Sequence, residues 1–207
     1  SLPMHKSRRV ESSKFVPKYC HIKTKTLDPR QLHIRYGIGG DIAIKNGIKE
    51  MSDFPWESRN GIVMPFFNAI GDCYGNTTKY FDKKAGKAYH YIERQMPMLH
   101  FPLLIKNNNT VILVEDVLSA IRVNELGHPA QGCALLGTDL NEEKIKYLLA
   151  NGYRNVIMAL DPDATAKAYT YKQKFGLFFD GFRVAAMSAD PKDLIANKLY
   201  EEIFADE

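Results

Sequence analysis

Residues 156–169 read V-I-M-A-L-D-P-D-A-T-A-K-A-Y, and this stretch decides the fold. Val156 to Leu160 is a short, uninterrupted apolar run of the kind shown by a strand buried on both faces of a sheet. Asp161-Pro162-Asp163 ends it, and Thr165 to Phe175 then takes up helical spacing. The stretch is one βα unit with two carboxylates at its hinge. Working outward, the pattern recurs. T-V-I-L-V at 110–114 is another such strand, followed by Glu115-Asp116 and a helix over Val117 to Leu126. Ala130 to Leu136 reads as a further strand. Asn141 then caps a helix to Asn151 with Glu142 and Glu143 in its first turn, and Phe182 to Met187 is a last strand. Strands alternating with short helices predict an α/β fold with a central, mostly parallel sheet flanked by helices.

In such a sheet, ligands bind outside the carboxyl ends of the strands. Acidic groups stand there three times: Glu115-Asp116, Asp161-Pro162-Asp163 and Asp190-Pro191-Lys192-Asp193. Gathered at one edge they would repel one another unless a cation lay among them, and hard oxygen donors suit Mg²⁺ or Mn²⁺. Each residue alone has a plainer reading, since Asp163 could cap the helix at Thr165 and Glu115 the helix at Val117. Capping does not account for the order of all three clusters.

Upstream the chain changes character. Residues 1–110 carry 18 Lys/Arg against 9 Asp/Glu, a net charge of +9, whereas residues 111–207 carry 10 against 15, a net charge of −5. A basic half suits a polyanion and an acidic half suits cations. Three parts are expected: a basic N-terminal arm over 1–30, a small basic and mostly β lobe over 31–109, and the α/β unit over 110–207. Where the arm meets the lobe, Asp28 caps a short helix with Pro29 in its first turn and Gly37 as its stop. Gly61 to Phe67 and a run around Asp72 to Tyr74 flank the turn Asn68 to Gly71 as a hairpin. Thr77 to Asp82 and Lys87 to Ile92 are read as two further strands about the basic turn Lys83-Lys84-Ala85-Gly86. Tyr36, Phe66, Phe67, Tyr74, Tyr80, Tyr89 and Tyr91 crowd this lobe; core packing accounts for most of them, and stacking on unpaired bases is the alternative.

With 45% hydrophobic and 25% charged residues, the 207-residue chain has an ordinary globular make-up, which excludes disordered, collagen-like and disulfide-scaffold classes. It has no apolar run long enough for a membrane span and no secretion signal at its start, so a cytoplasmic setting without membrane partners is expected. Three cysteines without a C-x-x-C pair predict no zinc, and Cys20-His21 lacks a matching partner pair.

The acidic motifs with their flanks resemble the topoisomerase-primase (TOPRIM) fold, and in detail the catalytic core of bacterial- and phage-type (DnaG-like) DNA primases. V-I-L-V-E-D-V-L-S-A-I-R-V at 111–123 resembles the family's glutamate motif. A-L-L-G-T-D-L-N-E-E-K-I-K-Y-L-L at 134–149 resembles its Leu-Gly-Thr and following helix. Residues 156–169 resemble its Asp-x-Asp stretch with a basic residue, here Lys167, four positions on, and S-A-D-P-K-D-L at 188–194 resembles its Asp-Pro-x-x-Leu segment. G-I-V-M-P-F-F-N-A-I-G at 61–71 and T-T-K-Y-F-D at 77–82 look like elements of the basic lobe that precedes that fold.

The resemblance implies template-directed synthesis of short RNA primers on single-stranded DNA by metal-dependent nucleotidyl transfer. Glu115, Asp161 and Asp163 would be catalytic, with Asp190 and Asp193 joining them around Mg²⁺ or Mn²⁺. Arg59, Lys79, Lys83, Lys84 and Lys167 would contact template or nucleoside triphosphates, and a replicative helicase is an implied partner. The chain also departs from the pattern. The arginine common before the Lys-Tyr pair is missing, Lys192 stands where many members are acidic, and neither a zinc module nor a G-x-x-x-x-G-K-[ST] motor motif occurs. A TOPRIM nuclease and a catalytically weakened nucleic-acid-binding module of a replication complex therefore stay open as alternatives.

Overall fold

The computed structural model describes residues 24–52, 61–81, 90–92 and 97–205. The N-terminal arm through residue 23, Arg59, Lys83, Lys84 and Tyr89 lie outside them.

The first part is an antiparallel sheet in sequential order: β1 (Thr24–Lys25), β2 (Lys49–Met51), β3 (Gly61–Phe67), β4 (Cys73–Tyr80) and β5 (His90–Ile92). Two short helices, α1 (Pro29–Tyr36) and α2 (Gly40–Lys45), stand between β1 and β2. α1 begins and ends as its sequence requires. Asp28 accepts from Arg30 N, Pro29 fills the first turn where no N–H is needed, and Gly37 closes the helix at φ 63°, a left-handed conformation that glycine adopts without a Cβ clash. α2 was not expected from the sequence; it is only six residues long, with glycine at its cap and no side-chain capping bond.

The expected hairpin is β3–β4, but the two strands read at 72–74 and 77–82 are one continuous strand, Cys73–Tyr80. Gly75 and Asn76 suggest a break by composition. Opposite β3 they are buried, and the ladder carries through them. Phe66, Phe67 and Tyr74 are core residues, and the Tyr74 hydroxyl donates to the Leu99 carbonyl.

The second part is the parallel sheet: β6 (Thr110–Val114), α3 (Val117–Asn124), β7 (Gln131–Ala134), α4 (Glu142–Ala150), β8 (Asn155–Met158), α5 (Thr165–Phe175), β9 (Gly181–Val184) and α6 (Ala196–Phe204). Its order is β7-β6-β8-β9 with every pair parallel. β6 and β8 are buried through their length apart from their first residues, as their unbroken apolar runs predict. β9 stops at Val184, short of Met187, and α6, absent from the sequence reading, packs Leu199, Ile203 and Phe204 into the core of one sheet face.

Two features join the sheets. The segment after β5 runs along the free edge of β7, His100 and Ala134 exchanging backbone hydrogen bonds, while Phe101 N donates to Phe67 O and Phe67 N donates to His100 Nδ1. His100 is fully buried and held uncharged, its pKa lowered to about 3 by burial. In addition α3 lends Val117, Leu118 and Ile121 to the core beneath the first sheet. Arg122 on the same helix donates to Gly37 O at 3.3 Å and to Leu194 O at 2.7 Å, tying the end of α1 to the segment before α6.

Candidate metal centre

The strand order sets where the acidic groups meet. From β6 the chain crosses to β7 on one side, then returns to place β8 on the other side of β6. The direction of winding thus reverses between β6 and β8, and the crevice at their carboxyl ends is where an open α/β sheet receives a ligand. Leu113 pairs with Met158 in that register, so Glu115 and Asp161 leave the sheet side by side.

One oxygen each from Glu115, Asp161 and Asp163 lies within 4.8 Å of the others, the one such group among the described residues. Glu115 Oε1 accepts from Asp161 N at 3.2 Å, which fixes the Asp-x-Asp turn against the end of β6. Neither Glu115 nor Asp163 is used up as a helix cap. α3 is capped by Asp116, whose Oδ1 accepts from Leu118 N and Ser119 N, and Ala164, not Asp163, stands at the start of α5 with no side-chain bond. Asp161 Oδ1 is buried and has no hydrogen-bond partner.

Gathering the charges has its expected electrostatic effect. Burial, then the neighbouring Glu115, pushes the Asp161 carboxyl up to about 6. Burial also raises Glu115, with Asp163 and Asp116 adding to it against the hydrogen bond from Asp161. An all-oxygen donor set, mutual repulsion and an unpartnered buried carboxylate oxygen fit a hard divalent cation such as Mg²⁺ or Mn²⁺.

The other expected ligands are placed differently. Asp190 and Asp193 do not join the group of three at that distance. Asp190 Oδ2 pairs with Lys192 Nζ, and its Oδ1 accepts from Ser119 Oγ at 3.1 Å and from Lys192 N at 3.2 Å. Lys192 Nζ also donates to Asp116 Oδ2 at 2.9 Å. Burial would lower the lysine, but Asp116 foremost holds it above its ordinary value. Burial likewise would raise Asp116, but Lys192 and Lys79 hold it below. Asp193 is exposed on the same short turn.

A cavity of about 240 Å³ opens beside the carboxylates, lined by Met64, Thr77 and Lys79 from the first sheet and by Glu115, Asp116, Val117, Leu136 and Gly137 from the second. Lys79 is half-buried there, its Nζ 5.5 Å from the Tyr36 ring centre, and burial pulls its ammonium below the ordinary value. In the same cavity wall, Leu136 sits at φ 56° and Gly137 at φ 132°, and Gly137 N donates to the Glu115 backbone oxygen at 3.0 Å. A non-glycine residue in the left-handed region is held there by its surroundings. Part of that hold comes from Lys144, which donates to Leu135 O and Asp139 O across the loop. Lys167 is exposed and donates to Thr138 Oγ1 at 2.8 Å, on the same loop rather than to a carboxylate.

Sequence reasoning missed the parts played by Asp116, Ser119 and Lys144. The Asp116-x-x-Ser119 spacing is a legible capping signal, and it places the cap of α3 one residue after Glu115. A lysine that folds back on loop carbonyls leaves no sequence signal distinct from a surface lysine.

No family model and no curated protein matches the chain, whereas its fold recurs in solved structures. It is similar to the zinc-binding and RNA polymerase domains of the Aquifex aeolicus primase at 16% identity and a TM-score of 0.63, covering 85% of this chain and 55% of that one. It is similar to the primase fragment of the bacteriophage T7 primase-helicase protein at 14% identity and a TM-score of 0.63, covering 92% and 76%. A third likeness is the DnaG primase catalytic domain bound to single-stranded DNA, at 16% identity and a TM-score of 0.60, covering 82% and 67%. The chain therefore has the α/β fold of DnaG-type primase catalytic cores, and it spans about half the length of the Aquifex chain that holds those two domains.

Proposed function

We propose that the chain is the catalytic core of a DNA primase that makes short RNA primers on single-stranded DNA. The observation that carries this reading is the convergence of Glu115, Asp161 and Asp163 at the switch point of the parallel sheet, beside a cavity that Lys79 enters from the first sheet. Glu115, Asp161 and Asp163 would hold Mg²⁺ or Mn²⁺. A bound divalent ion there would neutralise charge on triphosphate and attacking oxygens during nucleotidyl transfer.

The chain's own residues supply the rest. Glu115, raised by burial, fixes Asp161 through the backbone and can take or hold a proton. Lys79 offers positive charge to a phosphate, with Arg59, Lys83, Lys84 and Lys167 as further contacts to template or nucleotide. Leu136 and Gly137 line the same cavity as Glu115, with Leu136 held in a left-handed conformation. The division into a basic arm, a basic lobe over 31–109 and a catalytic unit over 110–207 belongs to this proposal, as do nucleoside triphosphates, a replicative helicase partner and a cytoplasmic setting. Among the described residues no helix is long and apolar enough to cross a membrane.

The test is ribonucleotide incorporation on single-stranded DNA with Mn²⁺ or Mg²⁺, comparing the native chain with Asp161→Asn and Glu115→Gln while following the template for cleavage. Metal-dependent oligoribonucleotide synthesis lost in both variants supports the primase reading. Template cleavage instead moves the assignment to a TOPRIM nuclease, and binding with neither reaction leaves a binding module.

A further inference from the structure

The second acidic group at the sheet edge already holds a cation of its own. Lys192 Nζ is seated between Asp116 Oδ2, at 2.9 Å, and Asp190 Oδ2. Ser119 Oγ closes the arrangement from α3, 3.1 Å from Asp190 Oδ1 and 3.3 Å from Asp116 Oδ2. The lysine side chain is 10% exposed, less than either carboxylate it bridges, at 35% for Asp116 and 19% for Asp190. It arrives there by a short path. Asp190 caps the turn Pro191–Asp193 by accepting from Lys192 N, and the lysine side chain then folds back over the carboxylate that caps it.

From this geometry we propose that the Lys192 ammonium occupies the place of a second divalent ion, so that the centre takes one metal per chain. The inference rests on the reading of Glu115, Asp161 and Asp163 as the metal-binding group. Paired metal ions in phosphoryl-transfer sites sit about 3.5–4 Å apart and need carboxylates that face both positions. In this chain Asp116 is engaged on Oδ1 by two backbone N–H groups and on Oδ2 by Lys192. Asp190 is engaged on Oδ1 by Ser119 and the Lys192 amide and on Oδ2 by the ammonium. A second ion would have to displace a buried cation that already satisfies both carboxylates. Lys192 is on this account a positioning residue: it fixes Asp116 and Asp190 and limits the number of metal ions, without touching the reacting atoms.

The test is the number of Mn²⁺ ions bound per chain, counted by the electron paramagnetic resonance signal of free Mn²⁺ in titrations of the native chain, Lys192→Ala, Lys192→Gln and Lys192→Arg. The native chain and Lys192→Arg are expected to bind one ion. Lys192→Ala and Lys192→Gln are expected to gain one, and Asp190→Asn added to either is expected to lose that gain. A native chain that binds two ions overturns the proposal whether or not the variants fold. So does a folded Lys192→Ala or Lys192→Gln that binds no more than the native chain. Failure of the underlying reading looks different: a native chain that binds none, or one whose single ion survives Asp161→Asn, disqualifies the group of three carboxylates. The gain on removing Lys192 would still be counted from that lower baseline.

Discussion

Replacing Asp161 by asparagine should make the metal-free protein more stable and the metal-loaded protein less responsive. Within the group of three, the closest oxygens lie within 4.8 Å of one another. At that separation two unit charges repel by roughly 3.5 kcal/mol at an effective dielectric of about 20 and by roughly 0.9 kcal/mol in water. Asp161 is half-buried and Asp163 exposed, so the relief on removing one charge falls between these limits, on the order of 2 kcal/mol. For a chain of this size that is a rise in melting temperature of about 4–8 °C. The comparison belongs at a pH of about 8, in chelator, where the native carboxyl, pushed up to about 6, is ionised. Adding Mn²⁺ at about 100 times its dissociation constant should stabilise the native chain by about 2.7 kcal/mol and leave Asp161→Asn nearly unmoved, which reverses their order. The assay is a thermal melt of both proteins with and without Mn²⁺. An Asp161→Asn protein that melts below the native one in chelator, or gains as much from Mn²⁺, would refute the argument that these carboxylates are held together at an electrostatic cost that a cation relieves.

Three further outcomes are expected. Glu125 has a buried Oε1 without a hydrogen-bond partner, and burial foremost, opposed by Arg122, raises its carboxyl from 4.5 to about 7. Its contribution is therefore present below pH 4.5 and lost as pH rises through about 7. Glu125→Gln should flatten the urea midpoint across that window and be more stable at neutral pH by about 1–2 kcal/mol, and an unchanged pH profile would show that the carboxyl is solvated. Gly132→Ala would set a Cβ 2.5 Å from the Ala120 carbonyl oxygen, so α3 and β7 must part at a cost of roughly 2 kcal/mol; a neutral result in urea unfolding contradicts that close approach. Lys79→Gln should weaken binding of single-stranded DNA and lower the log–log salt slope by about 0.7, measured by fluorescence anisotropy, and an unchanged slope takes Lys79 off the phosphates.

The parallel sheet was legible because its evidence is local. Apolar runs at 110–114 and 156–160, the caps Asp28 and Asn141 and the stop at Gly37 each act within a few residues, and the structure keeps them. The carboxylates after the strands were legible for the same reason, since a strand end points its next residue at the edge. Where several weak preferences compete, the sequence misled. Gly75-Asn76 looked like a gap, and Gly40 to Lys45 had no periodicity to announce a helix.

Residues 110–194 announced their fold class, the direction of the sheet and the three acidic clusters by patterns confined to neighbouring residues. Tertiary structure alone decided how those clusters are shared out. The order β7-β6-β8-β9 makes Glu115 and Asp161 neighbours, while Lys192 draws Asp190 to Asp116 instead. Both outcomes depend on contacts between groups 46 and 76 residues apart, whose energy depends on distance and burial and leaves no period in the chain.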